Sequence, residues 1–169
     1  MNRRESGYSL VEILVVVAMI GIISLVTVPN FIAMQRSSKL KSSMRNFVGD
    51  VRGMRQRAVT KHHQTKISFV TGTAITGRNY TIAEFDPVSS TWQQIGPAKR
   101  LDEACYVVSQ TNLTDVDGDG TIDLVFKPDG APVLPPNIFE ATTVLKTDWN
   151  LPTSQYTVTI TFSGAVKTS

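Results

Sequence analysis

Cysteine is nearly absent from this chain. Among its 169 residues only Cys105 carries a thiol. No disulfide can therefore form within the chain, and its domain must be held together by its own apolar core. Cys105 lies in an apolar run with Tyr106 and Val108, which favours a core position for it. Enzyme signatures are also missing, because the sequence has no G-x-S-x-G, no P-loop and no pair of carboxylates in an apolar setting. The sequence indicates a protein that is not an enzyme.

Charge is missing from one long stretch near the N-terminus. Residues 13–28 contain no charged side chain, and only Ser24 and Thr27 among them are polar. Counted from residue 8, the apolar stretch is long enough to cross a bilayer, which takes roughly 20 residues. One carboxylate, Glu12, stands near its start. An ionisable group in a membrane segment is costly, so its presence indicates a function. We predict a membrane helix in which Glu12 is a functional residue.

The residues in front of this stretch are short and basic. Residues 1–7 read M-N-R-R-E-S-G and end in Gly7. An ordinary secretory signal is cut after its apolar region, at a small-residue site. Here the small residue precedes the apolar region. Cleavage between Gly7 and Tyr8 would remove the basic leader and leave the apolar helix on the mature protein.

The hexapeptide G-Y-S-L-V-E at residues 7–12, followed by the apolar run and Pro29, resembles the type IV prepilin signature. Type IV pilins and the pseudopilins of type II secretion share this signature, usually as G-F-T-L-x-E. The resemblance implies that a prepilin peptidase cuts after Gly7 and methylates the new amino group of Tyr8. It also implies that Glu12, the fifth mature residue, meets the N-terminal amine of a neighbouring subunit during assembly. Such a cation offsets much of the cost of a carboxylate in apolar surroundings.

A helix is predicted on both sides of Pro29. Proline inside a helix removes a hydrogen bond and kinks or locally melts it. Beyond it, apolar residues recur every three or four positions, which indicates an amphipathic helix over residues 31–60 whose apolar face packs on something C-terminal. This stripe consists of Leu40, Met44, Phe47, Val51, Met54 and Ala58. A basic stripe of Lys41, Arg45, Arg52 and Arg55 runs beside it.

From Lys66 onward the pattern becomes that of strands. Runs rich in β-branched and aromatic residues are separated by Gly, Pro, Asn and Asp. The predicted strands are residues 66–70, 80–85, 91–95, 105–109, 122–126 and 156–162, with a short last strand at 165–167. In 156–162 the side chains of Tyr156, Val158, Ile160 and Phe162 share one face. The fold class is therefore α+β. We divide the chain into a leader (1–7), a membrane and assembly half of the helix (8–29), an amphipathic half (30–61) and a β-domain (62–169).

The order of these elements resembles the GspH- and FimT-type minor pilins and pseudopilins. The matching features are Arg55, Arg57 and Ala58 at the helix end, the F-x-P-D-G turn at 126–130 and the T-I-x-x-S-G hairpin at 159–164. The resemblance implies two antiparallel sheets packed against the helix. It also implies other pilin or pseudopilin subunits, an inner-membrane assembly platform and membrane lipid as partners. The expected location is the bacterial inner membrane, crossed once with the C-terminal domain periplasmic, and then the filament. Many major type IV pilins close their C-terminal region with a disulfide, so the lone cysteine favours a minor subunit.

An acidic loop offers a candidate cation site. Carboxylates at Asp115, Asp117 and Asp119, Gly120 next, and Asp123 as the ninth residue match the first part of an EF-hand calcium loop. The twelfth residue is Phe126 instead of the bidentate Glu, so the ligand set would need another acid or the carbonyl of Thr121. A solvated acidic turn between strands explains the same residues. The sequence leaves both interpretations open, and calcium is the one cofactor it suggests.

Two other groups of residues are interpreted as surface features. His62 and His63 are adjacent and point in different directions, which favours a polar helix end over a metal site. The basic stripe could hold DNA phosphates, but it lacks interleaved aromatic residues for base stacking, so nucleic acid is disfavoured.

We predict a minor pseudopilin, a tip or initiating subunit of a type II secretion pseudopilus. The alternatives are a FimT-like minor type IV pilin in pilus assembly or DNA uptake, and a calcium-binding membrane-anchored protein that never polymerises.

Overall fold

The computed structural model describes residues 9–69, 78–102, 105–147 and 155–169. One helix, α1 (Leu10–Lys61), precedes nine strands within these ranges. The strands are β1 (Thr65–Phe69), β2 (Asn79–Asp86), β3 (Thr91–Gln94), β4 (Lys99–Arg100), β5 (Cys105–Thr111), β6 (Ile122–Phe126), β7 (Glu140–Thr147), β8 (Gln155–Thr161) and β9 (Val166–Thr168). The predicted α+β class, with one long N-terminal helix and two antiparallel sheets, is confirmed.

The helix spans 52 residues, which corresponds to a length of about 78 Å at 1.5 Å per residue. It runs through Pro29 without interruption, so the helix does not melt there, while a bend at Pro29 stays a prediction. The hydroxyls of Ser24 and Thr27 donate to the carbonyls of Ile20 and Ile23 at 2.7 and 2.9 Å. These bonds satisfy both polar groups within the helix itself, which lets them stand in an apolar segment. The helix ends where His62 adopts a left-handed conformation with φ 56°.

Two antiparallel sheets lie on the second half of the helix. In the first sheet the order is β3-β2-β1-β6, with β4 also pairing with β2, and in the second it is β5-β7-β8-β9. All predicted strands have a counterpart, although Val70 at the end of the first lies outside the described residues. Strands β4 and β7 were not predicted. In β7 the buried positions 143 and 147 are threonines, which hides its alternation from a search for apolar residues.

The core lies between the helix and the sheets, as the apolar stripe predicts. All six residues of that stripe are buried. The ring of Phe47 lies 5.5 Å from that of Phe69 and 5.7 Å from that of Tyr80, centroid to centroid. Cys105 is buried in the same core, where burial raises the pKa of its thiol. The strand β8 ends one residue earlier than predicted, and Phe162 beyond it is 62% exposed, whereas Val158 and Ile160 are buried.

Candidate functional site

The first half of α1 presents an apolar surface that the protein's own domain does not cover. Its most apolar 18-residue window has a mean hydropathy of 2.7 and no part of it is buried. By length and composition this helix could cross a membrane. Its large exposed side chains are Leu10, Val11, Ile13, Leu14, Val15, Val16, Val17, Met19, Ile20, Ile22, Ile23, Leu25, Val28, Phe31, Ile32 and Met34. A surface of this size needs lipid or other helices around it.

Glu12 lies in the first turn of α1, where the positive end of the helix dipole favours a carboxylate. The turn is closed by the carbonyl of Ser9, which accepts from the amides of Glu12 at 3.0 Å and Ile13 at 3.2 Å. The carboxylate is exposed and makes no ion pair with the described part of the chain. Gly7 and Tyr8, the predicted cleavage site, lie outside the described residues. Within the described residues, the Glu12 carboxylate thus has no cation as a partner.

The predicted acidic loop is brought together by the fold. Asp115, Asp117 and Asp123 each offer a carboxylate oxygen, and these three atoms lie within 4.8 Å of one another. A lysine that sequence reasoning missed also reaches into this cluster. The ammonium of Lys66 lies 2.5 Å from Asp117, 3.4 Å from Asp123 and 3.7 Å from Asp119. The signal available in the sequence was a single cation in the otherwise uncharged run Thr65–Phe69, which forms a strand buried along its length.

The remaining oxygens of the loop are bonded to its own backbone and neighbours. Asp115 accepts from the amides of Gly118 at 2.7 Å and Gly120 at 2.9 Å. Asp119 accepts from the amide and hydroxyl of Thr121 at 2.8 and 2.6 Å. Asp123 accepts from the hydroxyl of Ser68 at 2.6 Å. The loop is therefore closed by contacts within the chain, with Lys66 as its internal cation.

Burial and charge act in opposite directions on the pKa values of Lys66 and Asp123. Burial acts to lower the pKa of Lys66, but the hydrogen bond to Asp117 and the charges of Asp123, Asp117 and Asp119 outweigh it, so the pKa is raised. Burial raises the pKa of Asp123 in spite of its hydrogen bonds to Ser68 and Val116 and the nearby charge of Lys66. The ammonium of Lys66 also lies 5.2 Å from the centre of the Trp92 ring. The carboxylates suit a hard cation such as calcium, but such an ion would have to displace the Lys66 ammonium.

The basic stripe of the helix divides into inward and outward members. Arg55 turns inward, and its Nε and Nη2 donate to the carbonyls of Gly130 at 3.1 Å and Ser163 at 2.9 Å. It therefore joins the helix to the F-x-P-D-G turn and to the last hairpin, which the sequence had placed only as separate motifs. At the helix end Arg57 pairs with Glu84 at 2.8 Å, and His63 lies 3.3 Å from the same carboxylate. This pairing agrees with a polar helix end at His63.

Two comparisons address the N-terminal sequence. Residues 2–28 match the family model described as the prokaryotic N-terminal methylation motif. The chain is also similar to the type IV major pilin protein PilA of Myxococcus xanthus (strain DK1622), with 42% identity over 45 residues. That alignment covers 27% of this chain and 20% of the length of PilA. The sequence similarity is therefore limited to a part of each protein.

Comparison with solved structures addresses the fold. The minor pseudopilin EpsH from the type 2 secretion system of Vibrio cholerae superposes with a TM-score of 0.58 at 15% identity, over 78% of this chain and 96% of EpsH. The type IV minor pilin FimU of Pseudomonas aeruginosa (strain PAO1) superposes with a TM-score of 0.57 at 14% identity, over 80% of this chain and 92% of FimU. At such identities the likeness establishes the architecture alone. The architecture is pilin-like, with one long apolar helix followed by two antiparallel sheets.

Proposed function

We propose that this chain, whose N-terminal methylation motif and pilin-like fold support a place in the type IV pilin and pseudopilin family, is a minor structural subunit of a pilus-like filament. One observation carries the proposal. In the apolar half of α1 the large side chains that the structure describes are exposed, while one face of the second half is buried in the domain core. Such a helix can exchange lipid for the helices of neighbouring subunits without unfolding the domain.

The finer proposal is a subunit of a type II secretion pseudopilus, placed at its tip or used to initiate it. Residues 8–28 anchor the chain in the bacterial inner membrane before assembly, with Arg3 and Arg4 on the cytoplasmic side and the β-domain in the periplasm. An inner-membrane assembly platform then extracts it into the filament. The single cysteine supports a minor subunit. The rival within this class is a FimT-like minor pilin that serves pilus assembly or DNA uptake.

Processing of the N-terminus is the first step of the proposal to test. A prepilin peptidase removes residues 1–7 and methylates the amino group of Tyr8. Mass spectrometry of the protein isolated from its own cells will find a chain that begins at N-methylated Tyr8. Replacing Gly7 by a bulky residue will leave the leader in place. A mature chain that begins elsewhere, or an unprocessed one, contradicts the proposal.

Glu12 is the residue that we assign to assembly. Its carboxylate meets the N-terminal amine of a neighbour and fixes the register between the two helices. Glu12→Ala and the isosteric Glu12→Gln will insert into the membrane but not enter filaments, which in-cell crosslinking will detect as loss of adducts with other subunits. Ser24→Ala is the matched control, because the Ser24 hydroxyl bonds only within its own helix. Normal assembly of both Glu12 variants would support the membrane-anchored protein that never polymerises.

The identity of the crosslinked partners distinguishes the two machines. Crosslinking in intact cells followed by mass spectrometry will join this chain to other secretion pseudopilins if it serves a type II pseudopilus. Adducts with a major pilin instead make it a minor pilin. DNA binding is then measured with the exposed members of the basic stripe, Lys41, Arg45 and Arg52, reversed in charge.

A second candidate function is calcium binding at the acidic loop. The observation in its favour is the convergence of Asp115, Asp117 and Asp123, with Asp119 and Thr121 beside them. Isothermal titration of the apo protein with calcium will give saturable binding that Asp117→Asn weakens if the loop is a site. If no heat of binding is measured up to millimolar calcium and a chelator leaves the thermal stability unchanged, Lys66 alone neutralises the carboxylates of the loop.

A further inference from the structure

The outward members of the basic stripe form a continuous positive surface on α1. Lys41, Arg45, Gly49, Arg52 and Gln56 are spaced by four, four, three and four residues, so they occupy one face of the helix. All five are exposed. The lysine and the two arginines make no ion pair with the described part of the chain. Three cations on one face thus lack an ion-pair partner among the described residues.

Strand β4 extends this surface beside the helix. Arg45, Asn46 and Gly49 line a cleft of about 500 Å³ together with Lys99 and Arg100. Its floor carries one carboxylate, Asp50, which accepts from the hydroxyl of Tyr80 at 2.5 Å and is paired with Lys99. The Asp50 carboxylate therefore already has partners within the chain. We call the surface formed by Lys41, Arg45, Gly49, Arg52, Lys99 and Arg100 the basic helix face.

The centre of the basic helix face is open to close approach. Gly49 and Gly53 have no atom within 4 Å of the place where a Cβ would stand. A helix surface without side chains at these positions lets another backbone come near, with Arg45 and Arg52 on either side to bond carboxylates. Aromatic groups for stacking bases are lacking here, because the Tyr80 ring is buried and its hydroxyl is used by Asp50. The surface suits an acidic protein segment better than nucleic acid.

We propose that the basic helix face binds an acidic segment of a neighbouring filament subunit and sets which subunit stands beside this one. This inference rests on the proposed function. Lys41 lies seven residues beyond Met34, the last large apolar residue of the uncovered segment, which is about 10 Å along the helix. A neighbour that covers the apolar segment therefore brings its own domain alongside the basic helix face. Apolar packing supplies the bulk of the contact, and charge complementarity supplies the choice of partner.

The test uses the full-length chain in membranes of its own cells, with Asn46 replaced by a photo-crosslinking amino acid. The expected product joins this chain to a filament subunit through a peptide rich in Asp or Glu. Arg45→Glu combined with Arg52→Glu will lower its yield at least about tenfold, because two attractive contacts become repulsive. Lys146→Glu combined with Lys167→Glu makes the same change of net charge at exposed positions of the second sheet and will change the yield less than about twofold.

A second photo-crosslinker at Val17 reports packing of the apolar segment separately. If Val17 forms subunit adducts while the Asn46 yield is insensitive to the charge reversal, the inference is overturned and the proposed function stands. An Asn46 adduct with nucleic acid, or with a peptide that has no acids, also overturns it. If Val17 forms no subunit adduct, the proposed function fails and this inference fails with it.

Discussion

Lys66 is the single residue that most changes the interpretation of the acidic loop. Its side chain is 4% exposed and its ammonium lies among the carboxylates of Asp117, Asp119 and Asp123. Four carboxylates within nine residues repel one another unless a cation neutralises them. The sequence suggested a bound ion for that task. The fold supplies a lysine from β1, which enters the loop from the strand next to β6.

Removing the Lys66 charge will show that the acidic loop depends on this lysine for its stability. Lys66→Met keeps the apolar stem but leaves the carboxylates unpaired, so we expect the free energy of unfolding to fall by roughly 2 kcal/mol or more. Urea unfolding measures it, with the exposed Lys127→Met as control. In the Lys66 variant calcium will raise the melting temperature, because the ion can take the place of the ammonium. A variant as stable as the wild type would contradict the role of Lys66 as an internal cation.

A glycine is required at position 164 both by the backbone conformation and by the atoms packed against it. Its φ is 75°, and an added Cβ would clash with the carbonyl oxygen of Gly130 and stand 2.5 Å from Nε of Arg55. Gly118 has nearly the same φ of 77° but open space around its missing Cβ. Gly164→Ala will therefore lose more stability than Gly118→Ala, which carries only the backbone penalty of about 1 kcal/mol. Equal losses in urea unfolding would show that the close approach of Gly130 and Arg55 to Gly164 is unimportant.

At the scale of the elements, the end of α1 is joined to β2 by one carboxylate. Burial acts to raise the pKa of Glu84, but the hydrogen bond from Arg57 and the charges of Arg57 and Lys61 outweigh it and hold the pKa below its ordinary value of 4.5. A carboxyl whose pKa is depressed by folding stabilises the fold above its unfolded pKa. That stabilisation is lost as the pH falls through the lower folded pKa.

The pH dependence of stability will carry the signature of Glu84. Glu84→Gln will lower the free energy of unfolding by about 1 kcal/mol near neutrality, since its partners are partly exposed. The difference from wild type will shrink as the pH falls below 4.5, the ordinary pKa of the group. Thermal melts across this range measure it, and Glu140→Gln, at an exposed position of β7, is the control. A deficit that persists unchanged in acid would assign the loss to packing.

The sequence predicted those elements whose period is strict and whose contacts are local. The apolar stripe of α1 and the strand Ile122–Phe126 are clear because their buried positions hold apolar residues, with Asp123 as the one exception in the strand. Strand β7 was missed because Thr143 and Thr147 are buried, and burial of threonine depends on neighbours that a linear pattern does not show. The contacts of Lys66 and Arg55 were missed for a related reason. Each joins segments far apart in the chain, and only the sheet order brings them together.

At the scale of the whole molecule, one helix serves two environments. From Leu40 onward it contributes a buried face to the domain core, beginning with Leu40, Met44 and Phe47. Before that point no large side chain that the structure describes belongs to that core. The same continuous backbone thus connects a segment that requires lipid or other helices to a domain that has its own buried core. The pilin-like arrangement depends on the independence of these two halves.

That independence can be measured by truncation. Removing residues 1–34 deletes the uncovered apolar segment and leaves every core residue of α1 in place, so we expect a soluble monomer. Its melting temperature will lie within about 3 °C of the full-length protein in detergent, because no buried contact is lost. Removing residues 1–44 also deletes Leu40, Met44 and the bond from Ser43 to Asp102. This second truncation will cost roughly 3 kcal/mol or more, since core leucine and methionine side chains are each worth a few kcal/mol. If the shorter truncation destabilises the domain as much as the longer one, the apolar segment is part of the folding unit. Movement of the helix from lipid into a filament would then change the stability of the domain.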